Sequence, residues 1–249
     1  MSLIKVTTWK RVVFEMLAIV GSILLAFAID AWWDEFRDRE DAEIILSSLH
    51  EELVQVEDFM SEHDQFVGAM QDSARQLLTA AVGRDLELGE REIDRLLADL
   101  TWFISETLFA VPELESLVLN DELSLIENSD LRHKLKSWRA RNEFFRWFVE
   151  LQARFHNDRF MPYLEENASL QQIFNVAEHA PGFPEEQFVV RKIELREFRS
   201  HSLLLDDPVF QNLLTQRIAR MDILLDTRDE QYVTELRELI TQVEQELAD

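Results

Sequence analysis

Residues Val12 to Ile29 constrain this chain more than any other stretch. They read VVFEMLAIVGSILLAFAI, eighteen residues with one ionisable side chain, Glu15. As a helix this run is about 27 Å long, close to the ~30 Å of a bilayer's hydrocarbon core. Arg11 bounds it on one side and Asp30 on the other, with Trp9 just before and Trp32 and Trp33 just after. Indoles at both ends match interfacial aromatic belts. The pattern predicts one transmembrane helix over residues 10–31. Lys5, Lys10 and Arg11 precede the run, whereas Asp30, Asp34 and Glu35 open the other side. The positive-inside rule then predicts a cytoplasmic N-terminus and residues 34–249 outside. In a bacterium that is a single pass through the inner membrane, with a periplasmic C-terminal region. A cleaved signal peptide is the competing reading, since Ala26-Phe27-Ala28 forms a small-x-small site. The apolar run is longer than a signal sequence needs, and cleavage would leave Trp32 and Trp33 at a new terminus, so the anchor is preferred.

Within the run, Ala18, Ser22 and Ala26 recur every four residues and form a candidate packing face between spans. Glu15 lies three residues before Ala18, on the same side of a helix. An acid at membrane depth faces a partner or water. Arg11 is four residues away and offers an ion pair within the same chain.

The outer region is acidic and short of turn residues. The net charge is −24, and because the first eleven residues hold Lys5, Lys10 and Arg11 without an acid, residues 12–249 hold −27. Such a body repels phosphate backbones and excludes nucleic acid as a partner. With five Gly, five Pro and no Cys, the chain is not a sandwich, a barrel, a disulfide scaffold or a thiol enzyme. Leu46, Leu49, Leu53, Val56, Met60, His63, Val67, Met70, Ala74, Leu77 and Ala81 form a seam of 3.5-residue period. His63 is the polar member and a candidate pH-sensitive position, partly buried and bonded to a neighbour. Ile45, Phe59 and Phe66 widen the stripe to the breadth a bundle needs.

The expected architecture is all-α. A segment of residues 1–31 enters and crosses the membrane, and a helical domain follows over 32–249. That domain contains a long helix over 32–82 ended by Gly83, helices within 90–158, and one long C-terminal helix over 207–248. Asp206-Asp207-Pro208 opens it, with an Asp as N-cap and Pro208 in the first turn. One helix over 90–104 carries Ile93, Leu96, Leu97, Leu100 and Phe103 inward. The aromatics Trp138, Phe144, Phe145, Trp147, Phe148 and Phe155 read as core. The two longest helices are expected to pair antiparallel as a bundle or coiled-coil-like stalk, returning the C-terminus towards the membrane.

Two segments resemble an uncharacterised bacterial family of single-span membrane proteins. One runs from Phe14-Glu15 through Ala26 to Ile29-Asp30-Ala31-Trp32-Trp33-Asp34-Glu35. The other is Leu117 to Leu135, LVLNDELSLIENSDLRHKL. This chain has Asn120-Asp121-Glu122 where members often have Gly, so the turn there is expected to differ. The resemblance implies membrane location and a helical outer domain, and it implies no activity.

No His-Glu-x-x-His, no Glu-x-x-His and no Gly-x-Ser-x-Gly occurs among the residues, and no EF-hand loop. The chain is therefore read as non-enzymatic, without metal or cofactor. Its expected role is a membrane-anchored interaction or scaffold module whose partners are the lipid bilayer, further copies of itself and another envelope protein. An oligomeric channel with Glu15 in a bundle of spans is one alternative. An envelope ligand sensor, with the aromatic helix enclosing a pocket, is another.

Overall fold

Helix α1 runs unbroken from Ile4 to Val82, 79 residues and about 120 Å. It was described in a computed structural model of residues 4–83, 88–176, 194, 198–228 and 230–248. Among the described residues seven further α-helices follow: α2 (Glu90–Leu100), α3 (Pro112–Leu119), α4 (Ser129–Phe155), α5 (Met161–Asn167), α6 (Leu170–Val176), α7 (Pro208–Thr227) and α8 (Glu230–Ala248). Short 3-10 turns link several of them, and a π-helical turn, His156–Phe160, joins α4 to α5. No strand occurs among the described residues.

The seam on α1 organises the body. From Leu46 to Leu77 every expected seam position is buried, because α2, α3, α7 and α8 all pack on it. Bonds between α1 and the C-terminal helices fix the direction. His50 meets Glu244, Glu57 meets Arg237, Asp64 meets Arg228, and Gln71 and Arg75 meet Asp222. As numbers rise on α1 they fall on α8 and α7, so the C-terminal helices descend antiparallel to α1. Helix α4 climbs again beside them. Asn128 bonds Glu246, Lys134 bonds Glu238, Asn142 bonds Tyr232, and Gln152 donates to the Arg220 carbonyl. Helices α1 and α4 are therefore parallel, with α7 and α8 running the other way.

Local chemistry sets the helix ends. The N–H of Gly83 closes α1 on the Thr79 carbonyl at 2.7 Å, as its position after the seam leads one to expect. Asn128 caps α4 by accepting from the N–H groups of Asp130 and Leu131. Asp207 caps α7 through the Val209 N–H, with Pro208 at the first position. Asp121, in the turn Asn120-Asp121-Glu122, is the one non-glycine residue with positive φ among the described residues, at φ 59° and ψ 22°. That is a left-handed turn, the geometry glycine adopts without steric cost.

Three expectations need correction. The helix expected over 90–104 stops at Leu100, where the Thr101 hydroxyl turns back to the Ala98 carbonyl, so Phe103 leaves the helix and lies half-exposed on the His156 ring. The C-terminal helix over 207–248 is two helices. The chain bends at Arg228, φ −86° and ψ 62°, where its guanidinium reaches across to Asp64 on α1. On α4, Trp138, Phe145 and Phe155 are core, but Phe144 and Trp147 are exposed. Those two extend past the arc of α4 that the neighbouring helices cover.

Candidate functional site

Two regions carry the unusual chemistry of this chain: the apolar end of α1 with the neck above it, and a set of polar groups inside the body.

The eighteen apolar residues stand clear of the rest of the chain, with none of their side chains buried against it. Ala18, Ser22 and Ala26 lie exposed along one side of α1, and the Ser22 hydroxyl folds back to the Ile19 carbonyl at 2.8 Å. A hydroxyl satisfied by its own helix is compatible with an apolar surround. Arg11 Nε donates to Glu15 Oε1 at 3.1 Å, the i,i+4 pair that spacing allows. Trp9 is exposed on this end, and the Lys10 side chain falls outside the described residues. At the other end Trp32, Trp33 and Phe36 form an exposed ring cluster with centroids 6.0 to 6.3 Å apart.

Above the cluster comes a bare neck. The first core residue is Leu46, about 25 Å along the helix from Ile29. Residues 30–43 hold seven acids against Arg37 and Arg39, and both arginines are already paired, with Asp34 and Glu35. Where the neck enters the body, a cleft of about 850 Å³ opens beside the end of α8. Glu43, Glu127 and Glu246 rim it, over Leu46, Ile126 and Leu247.

His63 lies about 50 Å along α1 from Ile29 and shares no site with the apolar residues. It is 2% exposed and sits edge-on between Phe109 and Phe145, 5.4 and 5.9 Å away. Neither ring nitrogen has a hydrogen-bond partner among the described residues. Burial pushes the imidazole down to about 3, and the nearby Arg228 charge pushes the same way. The expected partly buried, bonded histidine is therefore a fully buried, unbonded one. Burial thus keeps the folded-state imidazole neutral through the range in which an ordinary imidazole takes up its proton.

Two buried polar clusters were not anticipated. Asp94, on the apolar face of α2, accepts from Gln172 Nε2 at 2.8 Å and bonds His201 Nδ1 at 2.5 Å. His201 Nε2 accepts the Ser169 backbone N–H at 2.9 Å, and Glu90 Oε2 accepts the His201 N–H at 2.8 Å. An Asp–His pair can drive base catalysis, but here the second nitrogen is spent on backbone and the ring is wholly enclosed. The pair fastens the 198–202 segment to α2 and α6.

Arg217 on α7 is the second cluster, 4% exposed. Its guanidinium donates to His156 Nδ1 at 3.2 Å and to the Trp102 carbonyl at 2.9 Å, and lies 4.9 Å over the Phe160 ring. All three are neutral acceptors, and burial pushes the group down to about 9. Burial and the Arg217 charge hold His156 down at about 3. The sequence signal for both clusters was a charge inside an apolar stripe: Asp94 among Ile93, Leu96 and Leu97, and Arg217 between Leu214 and Met221. His201 had no such signal.

No group of three or more His, Asp or Glu positioned to hold a metal occurs among the described residues. No protein-family model matches the sequence, and no curated protein and no solved structure matches it either.

Proposed function

We propose that this chain is a membrane-anchored interaction module: a single-pass protein with a cytoplasmic N-terminus that holds an acidic helical body away from the inner membrane on its periplasmic side. The observation that carries the reading is the isolation of residues 12–29, an apolar helix end with no protein surface against it. In water that exposed surface would be untenable, and lipid is the solvent that covers it. The aromatic cluster at residues 32–36 supports an interface there, and the charged neck supports an aqueous stand-off beyond it.

Two features favour a scaffold over a catalyst. The Asp94–His201 pair is enclosed and fully committed, and the surface of the described residues carries a cleft with an acidic rim and an exposed aromatic patch, both suited to binding macromolecules. The Arg11–Glu15 pair supports an anchoring role for the span, because the acid has its counter-ion in its own chain. Homo-oligomerisation and contact with a second envelope protein complete the proposal.

Topology tests it. A reporter active only in the periplasm, fused after Asp249, is expected to be active. Moving Lys5, Lys10 and Arg11 to the far side of the span is expected to abolish that signal. Activity of a cytoplasm-only reporter at the same fusion point would overturn the orientation, and release of the chain from membranes by alkaline carbonate would overturn the anchor.

A further inference from the structure

Residues 101–111 join α2 to α3 as a strap laid over α1 and α4. Its one regular stretch is the 3-10 turn Glu106–Phe109, and within it and its flanks only Phe109 and Val111 are buried. Side chains of the body hold the strap by its carbonyls. Arg217 of α7 donates to the Trp102 carbonyl at 2.9 Å. On α4, Arg146 donates to the Glu106 carbonyl at 3.3 Å and Asn142 to the Phe109 carbonyl at 2.9 Å. A connection with few buried side chains belongs to the part of a fold that opens locally, ahead of helices seated on a continuous core.

Each end of the strap rests on a buried histidine. At the first end Phe103 lies on the His156 ring at 5.2 Å, and Arg217 grips His156 and the Trp102 carbonyl together. A guanidinium only donates, so His156 Nδ1 is the acceptor of that bond and the ring proton sits on Nε2. A second proton has Nδ1 as its place. It would turn the acceptor into a donor and set two cations 3.2 Å apart. The other groups against the ring are the uncharged Phe103 of the strap and Phe160 of its own turn, so nothing there compensates the new charge. What pushes Arg217 off His156 also loosens its grip on Trp102.

At the second end Phe109 lies edge-on to His63. Ile104, Leu108 and Phe109 of the strap close a recess of about 10 Å³ over that ring, against Phe59 and Phe66 of α1. That is room for one water at most and none for a counter-ion. The charges around His63 do not offset a proton. Asp64 comes within 3.9 Å of Nδ1 but is held by Arg228, whose own charge opposes protonation. Glu62 rims the recess from its exposed side. Helix α4 presents the Phe145 ring, and behind it α8 presents Tyr232, whose phenol burial keeps neutral.

We propose that residues 101–111 are an acid-released strap: protons entering at His156 and His63 free its two ends and uncover the recess on α1, while the helices stay folded. The device is independent of whether residues 12–29 cross a membrane. Its sign follows from linkage. In the closed body burial holds both rings at about 3, against about 6.5 for an imidazole in water. Closure lowers the value, so the closed form is fully favoured above pH 6.5 and loses ground as the pH falls from there towards 3. At pH 5.0 each histidine set free shifts the opening equilibrium by up to about 30-fold.

Because the chain has no cysteine, single cysteines report opening cleanly. Full-length protein in detergent micelles carries Val111→Cys in the strap or Ala74→Cys in the α1 seam, both at buried positions. Each is labelled with dithiodipyridine at pH 7.5 and 5.0, and rates are divided by that of an exposed Thr107→Cys control. Labelling of Val111→Cys is expected to rise by about a hundredfold or more on acidification, and at pH 5.0 to run far ahead of Ala74→Cys. In a background of His63→Leu with His156→Gln, whose amide oxygen still accepts from Arg217, most of that rise is expected to vanish. Equal labelling at Val111→Cys and Ala74→Cys would mean that the whole body opens, and would overturn the strap. So would a rise of less than about tenfold, or a rise undiminished in the double background, which puts the proton elsewhere. Hydrogen exchange in the unsubstituted protein reads the same event at the Leu108 and Ala110 amides, which bond the Ser105 and Thr107 carbonyls. After correction for intrinsic rates, their protection is expected to fall at pH 5.0 while α1 keeps its own; retained protection would overturn the proposal even where a cysteine variant fails to fold.

Discussion

His63 makes acid destabilisation of this protein specific enough to predict. In the unfolded chain the imidazole titrates near 6.5, whereas in the folded body it is held at about 3. Lowering the folded value means that the unfolded state binds the proton first. Stability is therefore complete well above pH 6.5 and is lost as the pH falls from there towards 3. Between pH 7.5 and 5.0 the loss from this residue is about 2 kcal/mol, from 1.36 kcal/mol per unit over the 1.5 units between the unfolded value and pH 5. The side chain is almost wholly enclosed, so solvent screening does little to reduce it. Carboxylates and His156 titrate in the same range, so the measurement compares two proteins. Full-length wild type and His63→Leu are unfolded in urea, in the same detergent, at pH 7.5 and 5.0, with tryptophan fluorescence as the signal. The variant also removes two unbonded ring nitrogens from an apolar site, so it is expected to be more stable at both pH values. The decisive quantity is the difference of differences: wild type is expected to lose about 2 kcal/mol more than the variant on acidification. Equal losses would refute the burial argument, and a less stable variant at pH 7.5 would mean that the ring makes a polar contact.

Two further outcomes follow from single residues. Asp121→Gly relieves a left-handed backbone at φ 59° and is expected to stabilise by about 0.5–1 kcal/mol, read as a higher thermal midpoint by circular dichroism. Asp94→Ala leaves the enclosed His201 Nδ1–H and one of the two Gln172 amide hydrogens without an acceptor, the Gln172 bond to the Arg199 carbonyl remaining, and is expected to cost about 3 kcal/mol. Faster proteolysis within 198–202 is expected to accompany it, because the same cluster fastens that segment; unchanged cleavage there would argue against the fastening role.

Period and punctuation in the sequence revealed most of the frame. The seam from Leu46 to Leu77 was legible because helix geometry repeats locally, and Gly83 and Asp207 were legible because caps act within a few residues. The bend at Arg228 was not, since Met221, Leu225 and Tyr232 continue a helical pattern across it and its cause sits on α1 at Asp64. Aromatic type alone did not say which way a ring faces: Phe145 and Trp147 look alike in sequence, and only their neighbours send one inward and the other out. Asp94 and Arg217 could be suspected as charges in apolar stripes, but His201 and Trp102 could not be named as their partners, because those contacts join residues more than a hundred positions apart.

The unbroken course of α1 has a mechanical consequence. Between Ile4 and Val82 it contains no proline, the commonest cause of a sharp kink. From Ala31 to Val82 the helix extends about 75 Å, so under the proposed membrane anchoring it would work as a rigid lever with its fulcrum in the bilayer. A span that re-tilts by about 10° to suit a thinner or thicker membrane sweeps the far end of the body through roughly 13 Å. Under that anchoring, small adjustments in the lipid would be amplified into displacements the size of a whole helix diameter at the far end of the body.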